Sequence, residues 1–103
     1  MEGVRVYIIA NLQIHDADRY REYEKGFFPI LKKYEGEFIT FDDNIVHMEG
    51  DKPMEGRVIL LSFPSAKHAD VWYSSDEYQT LSEHRRASVT TTLTKVSGMP
   101  LRK

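Results

Sequence analysis

The 103-residue sequence contains no cysteine. Disulfide bonds and thiolate chemistry are therefore excluded, and the absence is consistent with a reducing compartment. Long apolar runs are also missing. None approaches the length needed to cross a bilayer, and the N-terminal residues lack the cationic start and apolar stretch of a signal peptide. From these absences we expect a cytoplasmic protein without a membrane partner.

A large excess of charge of either sign is absent as well. Lys and Arg total 14 and Asp and Glu total 16, which gives a formal net charge of −2. A nearly neutral, slightly acidic chain argues against nucleic acid or an anionic membrane surface as the main partner. We therefore expect no nucleic-acid partner.

Sequence motifs for common cofactors are missing too. The chain has no glycine-rich dinucleotide or phosphate loop and no serine nucleophile elbow. Its four histidines have neither an HxH nor an HExxH spacing, so a structural metal site is not expected. We expect no bound cofactor, although an axial histidine for haem is left open. The histidines are His15, His47, His68 and His84.

The remaining composition, 41% hydrophobic and 29% charged, is that of an ordinary soluble domain. We predict a single domain over residues 1–97 and a C-terminal tail over residues 98–103. Alternation predicts a strand over Val4–Ile14, and aromatic residues at helical spacing predict a helix from the N-cap Asp16 to Tyr34. Gly36 is expected to end this helix in the left-handed conformation.

The second half of the chain carries more short elements. An acidic turn at residues 42–44 predicts a hairpin between two short strands, and a nearly continuous apolar run predicts a central strand. Ser65 and Ser75 are expected to cap two short helices, which a final strand follows. The predicted strands are Glu37–Phe41, Ile45–Glu49, Arg57–Phe63 and Val89–Val96.

This order of elements predicts an α+β protein with the ferredoxin-like split βαβ arrangement. Its antiparallel sheet would carry the helices on one face and leave the other face partly apolar. Because a monomer rarely exposes such a surface, we expect two sheets to pair face to face in a homodimer.

Several short motifs are similar to those of a known family. They are Tyr34-x-Gly36-x-Phe38, Glu49-Gly50-Asp51, Phe63-Pro64-Ser65 and Trp72-Tyr73-x-Ser75-x-Glu77-Tyr78, followed by Arg85. From Tyr7 to about Val96 the chain resembles the domain of unknown function 1330 family of the dimeric α+β barrel superfamily. The resemblance implies the fold and the dimer. It leaves the activity open, because the superfamily includes cofactor-free monooxygenases, isomerases and haem enzymes.

The sequence departs from that family in three places. The hairpin turn, often Gly-Gly in relatives, is Asp42-Asp43-Asn44 here. Asp76 stands where relatives usually have proline at a helix start, a change that suits a first helical turn. Ser62 stands where relatives frequently have an acidic residue before the Phe-Pro pair. An acid with a catalytic role at that position would be missing here.

The stretch from Trp72 to Arg86 holds the strongest candidate site. Tyr78, Leu81 and Arg85 share one face of a helix, so the charge of Arg85 points toward the core. Two interpretations remain open. Arg85 forms a buried ion pair or contacts backbone carbonyls, or it binds a carboxylate, enolate or phosphate group of a ligand.

The functional hypothesis is a pocket between helices and sheet that binds or converts a small anionic or enolisable aromatic or carbonyl metabolite. The candidate ligand-binding residues are Arg85, Tyr78, Trp72 and Asn11. The candidate catalytic residues, which would move a proton, are His84 and Tyr20. The alternative is a non-catalytic dimer with a filled interior, in which the same residues only pack and pair.

Overall fold

Four strands and three helices make up residues 4–100, the part of the chain that this computed structural model describes. All neighbouring strands pair antiparallel, and the sheet order is β2-β3-β1-β4. The predicted ferredoxin-like α+β fold is therefore confirmed. The elements are β1 (Val6–Ile14), α1 (Ala17–Lys33), β2 (Glu37–Asp42), β3 (Arg57–Phe63), α2 (Ala66–Ser74), α3 (Asp76–Ser88) and β4 (Val89–Ser97).

The predicted strand Ile45–Glu49 is wrong. This segment belongs to an irregular loop over residues 43–56, in which Val46 and Met48 are 82% and 91% exposed. The apolar side chains of this segment therefore supply no packing that would hold a strand. The partner of β2 in the sheet is β3 instead, starting with the pair Glu37 and Ser62.

The end of α1 differs from the expectation by one residue. Glu35, not Gly36, takes the left-handed conformation, with a φ of 63°. The amides of Glu35 and Gly36 donate to the carbonyls of Lys32 and Leu31, which closes the helix in a Schellman motif. Glycine is required at position 36 because the neighbouring side chains leave no room for a Cβ. A Cβ there would lie 2.3 Å from Leu31 Cδ1 and 2.7 Å from Phe63 Cε2.

The two faces of β1 have the different environments that its alternation predicts. Val6, Ile8, Ala10 and Leu12 are buried in one core cluster with the aromatic residues of the helices. On the opposite face, Tyr7 is 36% exposed. The helices also pack on each other, since a Cβ on Gly26 of α1 would meet Leu81 of α3 at 2.8 Å.

The ends of the chain lie beyond these elements. The predicted tail begins directly after β4, and the Gly98 amide donates to the Arg5 carbonyl at 2.7 Å. Residues 1–3 of the predicted domain and residues 101–103 of the tail lie outside the described residues. Within residues 4–100, no helix has the length and apolar character required to span a bilayer.

Candidate functional site

A cavity of about 220 Å³ lies between the helices and the sheet. Five aliphatic side chains of the sheet form its floor, and aromatic side chains form most of its wall. It is smaller than the roughly 300 Å³ at which pockets for drug-sized ligands begin, so it suits a molecule with one ring. The floor residues are Ala10, Leu12, Ile59, Leu61 and Leu93; the inner wall contains Tyr20, Tyr23, Phe27, Trp72, Tyr78 and Arg85.

A pair of tyrosines joins two helices at this wall. The hydroxyl oxygens of Tyr23 on α1 and Tyr78 on α3 lie 2.6 Å apart, and either oxygen is able to donate. Burial, followed by the proximity of Tyr78, holds the pKa of Tyr23 well above its ordinary value. The Tyr23 hydroxyl is therefore protonated at neutral pH. Only one of their two protons lies between the oxygens, so the other is left for a second acceptor.

Arg85 is a buried cation in the same wall. Its side chain is 5% exposed, as its helical spacing from Tyr78 predicts, and its Cζ lies 5.7 Å from the centre of the Tyr23 ring. Within residues 4–100 its Nε has no hydrogen-bond partner, and no carboxylate forms an ion pair with it. The neighbouring Arg86 is exposed and donates to Gln79. The buried ion pair of the structural interpretation is thus not found in the described chain.

Trp72 adds another hydrogen-bond donor to the wall. It is 1% exposed, and its ring centre lies 4.3 Å from that of Tyr78. Among the described residues, its Nε1 also lacks a partner. A buried donor without an acceptor is unfavourable by roughly 1–3 kcal/mol, and this wall contains two of them.

Tyr20 lies beside Tyr23 on the same helix. The two rings stack with centres 5.6 Å apart, and Tyr20 is 4% exposed. Burial, with a contribution from Glu24, raises the pKa of Tyr20 to about 12, against an opposing effect of Arg57. The hydroxyl is therefore a proton donor at neutral pH and not a base.

The more exposed lining residues form a ring of contacts, which we call the rim. Phe28 and Phe41 are 53% and 51% exposed, and the Phe38 ring lies 5.2 Å from the first and 6.3 Å from the second. Arg57 stands 5.0 Å from the Phe41 ring, and its Nη1 lies 3.4 Å from Glu24 Oε2. Glu24 is one helical turn before Phe28, which closes the ring. We infer from this exposure that the cavity opens at the rim.

Two candidate residues are not brought to the cavity. Asn11 lies on the opposite face of β1, where its Nδ2 donates to the carbonyls of Glu55 at 2.8 Å and Arg57 at 3.2 Å. His84 lies beside Arg85 in sequence, but its Nδ1 accepts from Arg19 Nε at 2.9 Å outside the cavity. The structure does bring together Arg85, Tyr78, Trp72 and Tyr20.

Other residues of the wall were not anticipated. The sequence places Phe27 only in the aromatic stripe of α1, whereas it leaves Tyr23 open as either a core residue or a pocket residue. The sequence predicts Arg57 only as the first residue of an apolar strand. Its charge beside that strand is the one feature of the sequence that indicates a role in a site. In residues 4–100 no group of three His, Asp or Glu side chains is placed to hold a metal ion. None of the four histidines lines this cavity.

The four-stranded antiparallel sheet and its helices define an α+β protein of the ferredoxin-like type. The chain belongs to the family described as domain of unknown function DUF1330, whose sequence profile matches residues 5–99. No functionally curated protein matches the sequence.

Solved structures share the fold at low sequence identity. The RPA0582 protein of unknown function from Rhodopseudomonas palustris superimposes with a TM-score of 0.77 at 16% identity, over 100% of this chain and 86% of that one. A NIPSNAP-like domain protein from Burkholderia xenovorans superimposes with a TM-score of 0.60 at 13% identity, over 98% of this chain and 88% of that one. SnoaB from Streptomyces nogalater, a cofactor-independent oxygenase, superimposes with a TM-score of 0.55 at 10% identity, over 100% of this chain and 96% of that one.

Proposed function

We propose that the protein binds a small anionic or enolisable aromatic or carbonyl metabolite in the cavity, without a bound cofactor. The observation that carries this proposal is Arg85, a guanidinium that is 5% exposed and makes no ion pair with a carboxylate in residues 4–100. A buried charge without a partner is strongly unfavourable. A ligand oxyanion is the partner that would compensate it.

The chemistry of the inner wall supports an oxyanion over a cation or a neutral ligand. Its polar groups are donors: the guanidinium of Arg85 and the second hydroxyl proton of the Tyr23–Tyr78 pair. Glu24 is the only carboxylate residue among those lining the cavity, and it lies at the rim. Donors that are fixed before the ligand arrives stabilise a carboxylate, phenolate or enolate oxygen without reorganisation.

Tyr20 is the residue that supports conversion of a bound ligand. Its hydroxyl is buried and protonated, so it would donate a proton to an enolate carbon, leaving a ketone and a tyrosinate next to Arg57. The likeness to SnoaB supports the fold only, because the identity is 10%. It indicates that this fold is compatible with chemistry on an organic substrate without a cofactor.

We also propose that the protein is a homodimer formed through the open face of the sheet. Three apolar side chains on the sheet have exposed fractions of 36–45%: Tyr7, Ile39 and Val96. Light scattering at micromolar concentration should give twice the monomer mass of 12.0 kDa. Tyr7→Glu should dissociate the dimer because it places a charge in this face. A monomer mass for the unsubstituted protein would contradict the dimer.

Ligand-dependent melting tests the binding proposal. The protein is heated with a panel of aromatic carboxylates, phenols and keto acids, beside the variants Arg85→Met and Arg86→Met. A binder present at 100 times its Kd should stabilise the protein by about 2.7 kcal/mol. Arg85→Met should abolish that shift. It should keep or raise the melting temperature, because methionine fills a similar volume and removes an unpaired buried charge. Arg86→Met should behave like the unsubstituted protein.

The alternative, a filled and non-catalytic interior, gives the opposite pattern. Arg85 would then be a structural residue, so Arg85→Met would lower the melting temperature by several degrees. No acid in the panel would stabilise the unsubstituted protein. That combination would contradict the proposal.

A further inference from the structure

The cavity has a second guanidinium, Arg57 at the start of β3, and the charge of this one is compensated. Its Nε and Nη2 donate to the two carboxylate oxygens of Asp43 at 2.6 Å and 3.1 Å. Its Nη1 also donates to Glu24 Oε2 at 3.4 Å. Such a two-point pair is geometrically specific, and the side chain of Arg57 is only 20% exposed. Asp43 thus occupies the face of Arg57 that a ligand carboxylate would otherwise use.

The two arginines stand over neighbouring rings of one aromatic wall. Arg57 Cζ lies 5.9 Å from the centre of the Tyr20 ring, and Arg85 Cζ lies 5.7 Å from the centre of the Tyr23 ring. The two tyrosine rings stack on each other with centres 5.6 Å apart. A ligand on this wall is therefore near both cations. Of these two arginines, only Arg85 lacks a carboxylate partner in the described residues.

The room available also limits the ligand. The cavity measures about 220 Å³. An apolar cavity of about 150 Å³ in another protein holds benzene, so this one has room for a single ring with small polar substituents. A second acidic group would meet Glu24 at the rim, where like charges disfavour it.

We infer that the Asp43–Arg57 pair sets the charge of the ligand, so that the site takes a one-ring monoanion and rejects the corresponding dianion. This inference rests on the proposed function, because it assumes that Arg85 binds the first anionic group. Arg57 is then a specificity-determining residue. Its second anion-binding position is blocked by a side chain of the protein's own β2–β3 loop.

A comparison of mono- and dicarboxylates by titration calorimetry tests the inference. The probes are benzoate, isophthalate and terephthalate. The unsubstituted protein should bind benzoate at least about tenfold more tightly than either dicarboxylate. Asp43→Asn should shift the ratio of the Kd values about tenfold toward the dicarboxylates, since Arg57 is freed. Asp51→Asn removes the same charge from the same loop without contacting Arg57, and it should leave the ratio unchanged.

A double variant shows whether the new preference depends on Arg57. Asp43→Asn combined with Arg57→Gln should return the preference to monocarboxylates. If benzoate binds in an Arg85-dependent way and Asp43→Asn leaves the ratio unchanged, this inference is overturned and the proposed function stands. If no carboxylate binds in an Arg85-dependent way, both are overturned. A shift that persists in the double variant also overturns the role of Arg57.

Discussion

Tyr23 and Tyr78 place their hydroxyl oxygens 2.6 Å apart in the buried interior, and this contact joins α1 to α3. Their rings meet edge to face with centres 6.2 Å apart. The pair is at once part of the core and part of the cavity wall. The packing that folds the chain therefore also supplies a proton donor to the site.

Removal of both hydroxyls should destabilise the protein less than the two single removals do in sum. Tyr23→Phe or Tyr78→Phe leaves the other hydroxyl buried without its partner, which is unfavourable by roughly 1–3 kcal/mol. The double variant removes both groups and should lose less than the sum of the single losses. Urea unfolding of the four proteins measures this coupling. Strictly additive losses would show that the hydroxyls do not interact.

Tyr20 should resist ionisation in alkaline solution. Burial raises its pKa from 10.0 to about 12, so the folded state holds the proton more tightly than the unfolded state. Stability from this group is complete below pH 10 and is lost as the pH rises from about 10 to about 12. Absorbance at about 295 nm should show a tyrosinate fraction that appears above pH 11 and is missing in Tyr20→Phe. Loss in Tyr20→Phe of a tyrosinate fraction that titrates near pH 10 would contradict the burial of this hydroxyl.

The end of α1 should respond in opposite directions to two neighbouring substitutions. Gly36→Ala should lower stability by about 1–3 kcal/mol, because the added Cβ overlaps Leu31 and Phe63. Glu35→Gly should raise stability by up to about 1 kcal/mol, because it relieves a left-handed conformation. Glu35→Ala keeps that strain and controls for loss of the side chain. Thermal melts decide the matter, and a stabilising Gly36→Ala would refute the packing argument.

Asp43 should titrate at unusually low pH. Its hydrogen bonds with Arg57 hold the pKa of the carboxyl below its ordinary 3.8. The contribution of the pair to stability is present above that value and is lost as the pH falls through the lowered pKa. Carbon NMR of the Asp43 carboxyl should give a midpoint below 3.8, and Arg57→Gln should return it to the ordinary value. A midpoint at or above 3.8 in the unsubstituted protein would contradict the pair.

Much of the fold was predictable because its signals are local. Alternation along β1 separates its two faces, and helical spacing places Arg85 with Tyr78 on the buried side of α3. The same rules set limits. His84 adjoins Arg85, but one residue turns the helix by about 100° and takes it out of the wall.

The rim was not predictable from local signals. Arg57 and Asp43 are separated by the β2–β3 loop, and no periodic pattern connects the two sides of an irregular loop. The strand predicted inside that loop had the correct alternation, but a strand also needs a neighbour, which alternation does not supply. The cavity itself depends on how side chains from all seven helices and strands meet, a property of packing that no short segment contains.

The crystal structure of the protein with benzoate tests the central claim most directly. We predict that a carboxylate oxygen lies about 2.7–3.2 Å from a guanidinium nitrogen of Arg85, with the ring of the ligand against Tyr20 and Tyr23. Asp43 should stay paired with Arg57. Benzoate bound elsewhere, or Arg85 paired with a carboxylate of the protein while the cavity is filled by side chains, would contradict the account.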